Sequence, residues 1–352
     1  MPTDPPAPKS FSLGARLLIF GLVCAVTIAG VVAFAIRRRA QQQSENATNA
    51  AAVVDDKSQL AEVRRQPHLF FRNTALGPAY GHVALVPLSA PAGARFITPL
   101  VGDRVYAANT AVFVLRAFRS ALTTYEAESF NAGFQAGPVF KLAGAPSRTR
   151  VSRDGLLASS TVFITGDSYN TGGFSTRTTI YDLTTGKPLG DLEDFAVQKD
   201  GQVFKNQDFN FWGVTFATDH DRFYATVASA NIPYLIEGSV TKRTARVLKE
   251  IVECPSLSPD ETRVAFKSRL TENGRRMWRL HVFNLKTQQE TVVSETHNVD
   301  DQAEWLDNDH VLYALPRASA AGHSDVWVAR SDGTGTPQLF LSDASSPCVV
   351  RP

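Results

Sequence analysis

The chain has 352 residues, 43% of them hydrophobic and 20% charged, which is enough for one large domain or two ordinary ones. A net charge of +2, with Lys and Arg scattered rather than gathered in a stripe, excludes a nucleic-acid footprint, and no nucleic-acid partner is expected. Aromatic residues reach 10%, with 22 Phe against 2 Met, a balance that leans toward β structure.

Residues 1–16 read as a short tail. From Leu17 to Ile36 the chain runs LLIFGLVCAVTIAGVVAFAI without a charge, about the length that crosses a bilayer as a helix. A core helix shows a polar face and this stretch has none, so it reads as a transmembrane anchor. Ala33-Phe-Ala35 resembles a signal-peptidase site, but Arg37, Arg38 and Arg39 follow at once and disfavour cleavage. Cys24 follows Leu22-Val23 inside the apolar run, a poor setting for a lipoprotein site. An uncleaved single-pass anchor is the expectation. The flanking charges, Lys9 and Arg16 before the span and Arg37 to Arg39 after it, favour a cytoplasmic C-terminal part. Residues 37–66, polar and Ala-rich, read as a linker.

Residues 67–352 repeat one hairpin. SLSPDETRVAF (Ser256 to Phe266) sets a Pro-Asp-Glu turn between strands that alternate in polarity. Echoes are PLVGDRVYAAN, VSRDGLLASSTVF, VTFATDHDRFYATV and AEWLDNDHVLYAL, centred near residues 105, 157, 223 and 311. The spacing, about 40 to 65 residues, suits a four-stranded propeller blade. Third and fourth strands follow each hairpin, as in WRLHVFNL (Trp278 to Leu285) followed by ETVVSE. HLFFRNT, GHVALVPL and ARFITPL look like the outer three strands of a blade without its inner one, and SSPCVVRP at the C-terminus supplies an inner strand. Joining them closes a ring of six blades with no open sheet edge.

VECPSLSPDETRVAF, VDDQAEWLDNDHVLYALP and SDVWVARSDGTGTP resemble the repeats of TolB-like, WD40-like propellers. With GDSYNTGGFSTRT and WGVTFATDHDRFYATV, the layout resembles the membrane-anchored actinobacterial "TolB-like translocation protein" group. Glu261 stands where that repeat usually has Gly, and Asp309 lacks a neighbouring Pro. The fold expected is therefore all-β, a six-bladed β-propeller preceded by one transmembrane helix. The resemblance implies export, against the flanking charges, and it transfers no activity.

Function concentrates on loops held by a rigid scaffold. Two long insertions fall on the face where second strands lead to third strands and blade leads to blade. GDSYNTGGFSTR (Gly166 to Arg177) lies within blade three, and DFAVQKDGQVFKNQDFN (Asp194 to Asn210) links blades three and four. Asp167, Tyr169, Asn170, Phe174, Arg177 and Phe195 are the expected contacts to a ligand or partner; the plainer reading is that Tyr169 and Phe174 only pin the loop. Six carboxylates, Asp194, Asp208, Glu253, Asp300, Asp301 and Glu304, are expected around the channel mouth, where they could hold a divalent cation or a basic peptide end. The plainer reading is that they satisfy backbone donors. Cys254 and Cys348 are a possible disulfide of an exported domain, although blade six separates their blades.

No Gly-x-Ser-x-Gly elbow is present, since GDSYN has Asn170 in the second glycine's place, and the seven His show no metal-ligand spacing. No cofactor and no catalysis are expected. The favoured function is a membrane-tethered, extracytoplasmic scaffold for protein interaction or envelope assembly. The alternative is a small-ligand or cation-binding propeller with hydrolase or lyase activity at the channel mouth.

Overall fold

The computed structural model describes residues 12–49, 53–54, 57–108, 110–164, 175–272 and 274–352. Two compact units divide the chain, Met1–Ala50 and Ala51–Pro352. The first contains one helix, α1 (Leu13–Asn49), which runs on past Ile36 through part of the expected linker. Its stretch Leu13–Phe34 is long and apolar enough to cross a membrane, and side chains such as Phe20 and Ile28 are exposed. A helix bonds its own backbone, so such a segment can sit in lipid without stranding polar groups.

The second unit is a six-bladed β-propeller. Blades two, three, five and six are four-stranded antiparallel sheets. Their innermost strands are Arg104–Ala107, Ala145–Val151, Glu253–Leu257 and Glu304–Trp305. Blade four begins at Asn210–Phe216. Blade one is composite: the C-terminal strand Ala344–Val350 lies innermost and pairs with His68–Asn73, with Leu69 opposite Val349 and Phe70 opposite Cys348. Strands far apart in sequence thus share one sheet, and the ring closes as the repeat pattern requires.

The second strand of each blade carries the core, because successive side chains point to opposite faces and both faces are covered. In blade two, Val112 and Val114 pack toward blade one, while Phe113 and Leu115 pack toward blade three beside Phe140 and Tyr181. Phe223 and Tyr224 divide in the same way between the cores on either side of blade four. So do Leu312 and Tyr313 in blade six. Burying a large side chain is worth about 1.5–3 kcal/mol, and six such interfaces tie neighbour to neighbour.

The Asp turns are hydrogen-bonding devices. Asp260 accepts from Ser258 Oγ (2.5 Å), Thr262 N (3.1 Å) and Thr262 Oγ1 (2.9 Å). Asp307 accepts from the N–H groups of Asp309 and His310, both at 2.8 Å, so that turn forms without a proline. Glu261 sits at φ 58°, a left-handed conformation that favours glycine. Its carboxylate offsets that cost by accepting from Thr218 N and from Arg222, both at 2.7 Å, which fastens blade five to blade four.

Two stretches expected as loop or linker belong to the propeller. Helix α2 (Lys57–Val63) buries Val63 in the core between blades one and two, and the Arg64 guanidinium lies 4.9 Å from the Phe134 ring centroid. Ala196–Lys199 pairs in parallel with Thr244–Glu250 and forms a hairpin with Gln202–Phe204, so blade four has six strands. Much of the insertion between blades three and four is therefore sheet edge rather than rim loop.

A polar network locks blade six to the composite blade. Arg317 pairs with Asp325 at 2.5 Å and with Asp343 at 3.0 Å, and His323 Nδ1 lies 2.5 Å from Asp343 Oδ1. The Asp343 N–H donates to Asp325 at 2.9 Å, and Arg95 donates to Asn73 Oδ1 at 2.7 Å and to the Asp343 carbonyl at 2.9 Å. Burial pushes the Asp325 carboxyl up, but Arg317 and the Asp343 N–H outweigh it and hold it below the ordinary value of 3.8. A carboxyl depressed on folding stabilises the native state above its unfolded pKa and loses that contribution as pH falls through the folded one. Asp325→Asn is therefore expected to cost about 2 kcal/mol at pH 7 in urea titration. The deficit should shrink below pH 4; a deficit unchanged down to pH 2 would contradict this role.

Candidate functional site

The six inner strands run side by side around a central channel, each from a leading end, where the strand begins, to a trailing end, which in blades three to six is the Asp turn. Toward the trailing ends lies a cavity of about 310 Å³. Every inner strand contributes to its wall: Ala107, Val151, Phe216, Leu257, Trp305 and Val350 come from blades two, three, four, five, six and one. At the leading ends the channel narrows to a space of about 20 Å³ between Arg104, Arg148, Asp301 and Pro347.

Between these two spaces a strut of polar side chains crosses the axis. Arg150 of blade three reaches Glu304 of blade six, the opposite member of the ring, with Nη1 2.9 Å from Oε2. The two side chains are only 6% and 7% exposed. Tyr106 OH from blade two donates to the same carboxylate at 2.9 and 3.1 Å, and the Val349 N–H of blade one adds a bond at 3.1 Å. Arg150 also donates to Ser256 Oγ at 3.2 Å and to the Ala303 carbonyl, and its guanidinium lies 4.5 Å from the Tyr106 ring centroid. Four blades besides blade three thus meet Arg150 or its partner. Burial pushes the Glu304 carboxyl up, and Arg150 only partly offsets it. Burial and the nearby Glu304 charge likewise push the Tyr106 hydroxyl well above its ordinary value.

The expected site residues fall elsewhere. Asp167, Tyr169, Asn170 and Phe174 lie outside the described residues. Arg177 pairs with Asp191 at 3.6 Å in the outer half of blade three and borders a separate cavity of about 290 Å³ with Phe140 and Tyr181. Phe195 is core, 7% exposed, with its ring edge-on to Phe223 and beneath the Arg243 guanidinium. It is therefore not a rim contact.

The six carboxylates do not form one acidic mouth. Asp194 stands exposed near Arg243 (3.7 Å), just before the start of Thr244–Glu250, a strand whose far end leads to Glu253. It therefore lies at the end of blade four opposite the one expected. Asp208 caps the turn after Arg222–Ser229, accepting from Ser229 Oγ at 2.7 Å and Ala230 N at 2.6 Å. Glu253 accepts from Arg269 at 2.8 Å and Trp278 Nε1 at 3.0 Å. Asp300 pairs with Lys267 and with Arg148, and Asp301 lies 3.4 Å from Arg104. Each channel carboxylate thus already meets a cation, and among the described residues no group of three His, Cys, Asp or Glu is arranged to hold a metal ion.

The disulfide pairing is corrected as well: Cys254 and Cys348 are separate buried thiols. Cys254 packs against Gly213 of blade four, whereas Cys348 donates to the Ala107 carbonyl of blade two at 2.8 Å. The two belong to blades that are not neighbours. Burial pushes the Cys348 thiol well up, which makes it inert rather than nucleophilic.

Arg150, Tyr106, Arg153, Trp305 and Arg351 were not singled out as site residues from sequence. A signal was present: SRTRVSRDG sets arginines in and just beyond an inner strand that should be small and apolar. What was missing was the partner of Arg150, which lies 154 positions away.

No family model matches the chain, and no curated protein matches it. Among solved structures, TolB from Acinetobacter baumannii is 14% identical with a TM-score of 0.55, over 80% of this chain and 66% of that one. The chain thus spans just under two thirds of that TolB chain. A nidogen/laminin complex structure is similar at 10% identity and a TM-score of 0.51, over 80% of this chain and 98% of that one. At these identities the likeness is one of fold, a TolB-like six-bladed propeller.

Proposed function

We propose that this chain is a membrane-tethered, extracytoplasmic propeller that recognises a protein partner at the trailing-end cavity of its channel and catalyses nothing. The observation that carries the reading is the cavity itself: about 310 Å³, built by all six inner strands and blocked on its inner side by Arg150, Tyr106 and Glu304. A concave, largely apolar space with a few convergent polar groups is the usual form of a ligand-binding pocket. The TolB-like fold supports an interaction role, and the apolar stretch Leu13–Phe34 supports a membrane tether. The alternative, a cation-dependent hydrolase or lyase at the leading-end mouth, needs free carboxylates, and those there are engaged by Arg and Lys. Export rests on resemblance to exported propellers, with the charges at Arg37 to Arg39 weighing against it.

Two expectations follow. A photo-crosslinking residue at Asp309, in the turn at the trailing end, should capture a partner from native membranes, and the same residue at Asp300, on the other face, should not. Capture from Asp300 alone would remove this reading. An impermeant amine reagent added to intact cells should modify the exposed Lys141, Lys187 and Lys242; modification only after lysis would put the propeller in the cytoplasm.

A further inference from the structure

The cavity has one blocked side and a charge. Among its lining residues the only carboxylate is Glu304, which already accepts from Arg150, Tyr106 and the Val349 N–H. Three arginines line the same space: Arg150 within the strut, and Arg153 and Arg351 just beyond the ends of their inner strands. Arg153 donates to the Pro259 carbonyl at 3.2 Å and Arg351 to the Leu306 carbonyl, so each reaches across to another blade. Among the described residues neither is within ion-pair distance of a carboxylate. A guanidinium offers five N–H donors in a flat fork, and one bond to a backbone carbonyl leaves most of them unspent. The rest of the wall is largely apolar, with Phe216, Leu257, Pro259, Trp305, Leu306 and Val350.

Shape narrows the occupant further. At about 310 Å³ the space is at the lower limit of small-molecule cavities, and the strut prevents anything from threading through. A strand laid across a groove does not fit, whereas the end of a chain does. The two arginines select the acidic end over the amino end, since a carboxylate matches the guanidinium fork bidentately and an ammonium is repelled. We infer that the cavity receives the free C-terminal carboxylate of a partner polypeptide, with its last side chain against Trp305 and Leu257 and its carboxylate held by Arg153 and Arg351. This rests on the proposed recognition at the trailing end and specifies its chemistry.

The full chain in detergent micelles can be titrated with fluorescein-labelled hexapeptides randomised at their last two residues, made as free acids and as C-terminal amides. Fluorescence anisotropy should show saturable binding by at least one free-acid pool, and at least tenfold weaker binding by the matching amide. Arg153→Gln with Arg351→Gln, both exposed positions, should weaken binding at least tenfold without lowering the melting temperature. Equal binding of acid and amide, or an unaffected double variant, overturns the inference. So does inorganic phosphate binding with no peptide bound. Leu257→Trp, checked for an unchanged melting temperature, separates this failure from that of the broader reading. If acid and amide bind alike and Leu257→Trp abolishes both, only the carboxylate specificity falls; if Leu257→Trp changes nothing, recognition in the cavity falls too.

Discussion

Arg150 and Glu304 meet across the axis of the ring, and the character of the channel depends on that meeting. Neighbouring blades are held by side chains packed between sheets, but a contact between blades three and six has to cross the channel. A buried ion pair is an expensive way to make it, because taking both charges out of water costs much of what their attraction returns. Cost is contained by satisfaction: Tyr106 and the Val349 N–H complete the carboxylate, while Ser256 and the Ala303 carbonyl take up the guanidinium. What the strut provides is position. It fixes the spacing of opposite blades and turns a tube into a cavity blocked on one side.

The strut can do this only if the ring is closed, and closure is a matter of strand pairing at one seam. The C-terminal strand lies innermost in blade one, supplies Val349 to the strut and lines the cavity with Val350. Beside that seam the Arg317, Asp325, His323, Asp343 and Arg95 network adds ion pairs and hydrogen bonds to the apolar packing between blades six and one. Fold and site are therefore made by the same strand.

Much of the ring was legible in the sequence because its signals are local. An Asp turn is written within about five residues, and a strand buried on both faces reads as a continuous apolar run. The blade count and the composite blade followed from repetition alone. Non-local features were harder to read. The stretch from Asp194 looked like a rim loop because nothing in it shows that Ala196–Lys199 pairs in parallel with Thr244–Glu250. The carboxylates at residues 300 and 301 looked free because their cations come from other blades: Arg148 of blade three and Lys267 of blade five for Asp300, and Arg104 of blade two for Asp301. Charge that cancels across a ring is invisible along a chain. The arginines of SRTRVSRDG carried the opposite hint, since a guanidinium belongs in a channel strand only when something across the channel requires it.

That this pair acts as one strut rather than as two separate buried charges can be measured with a double-mutant cycle on Arg150→Met and Glu304→Leu, read as unfolding free energy in urea. Each single change leaves a buried charge without its partner and should cost about 3–5 kcal/mol, whereas the double variant should cost at least about 2 kcal/mol less than their sum. Additive losses would mean that the two charges are held independently and that no strut exists.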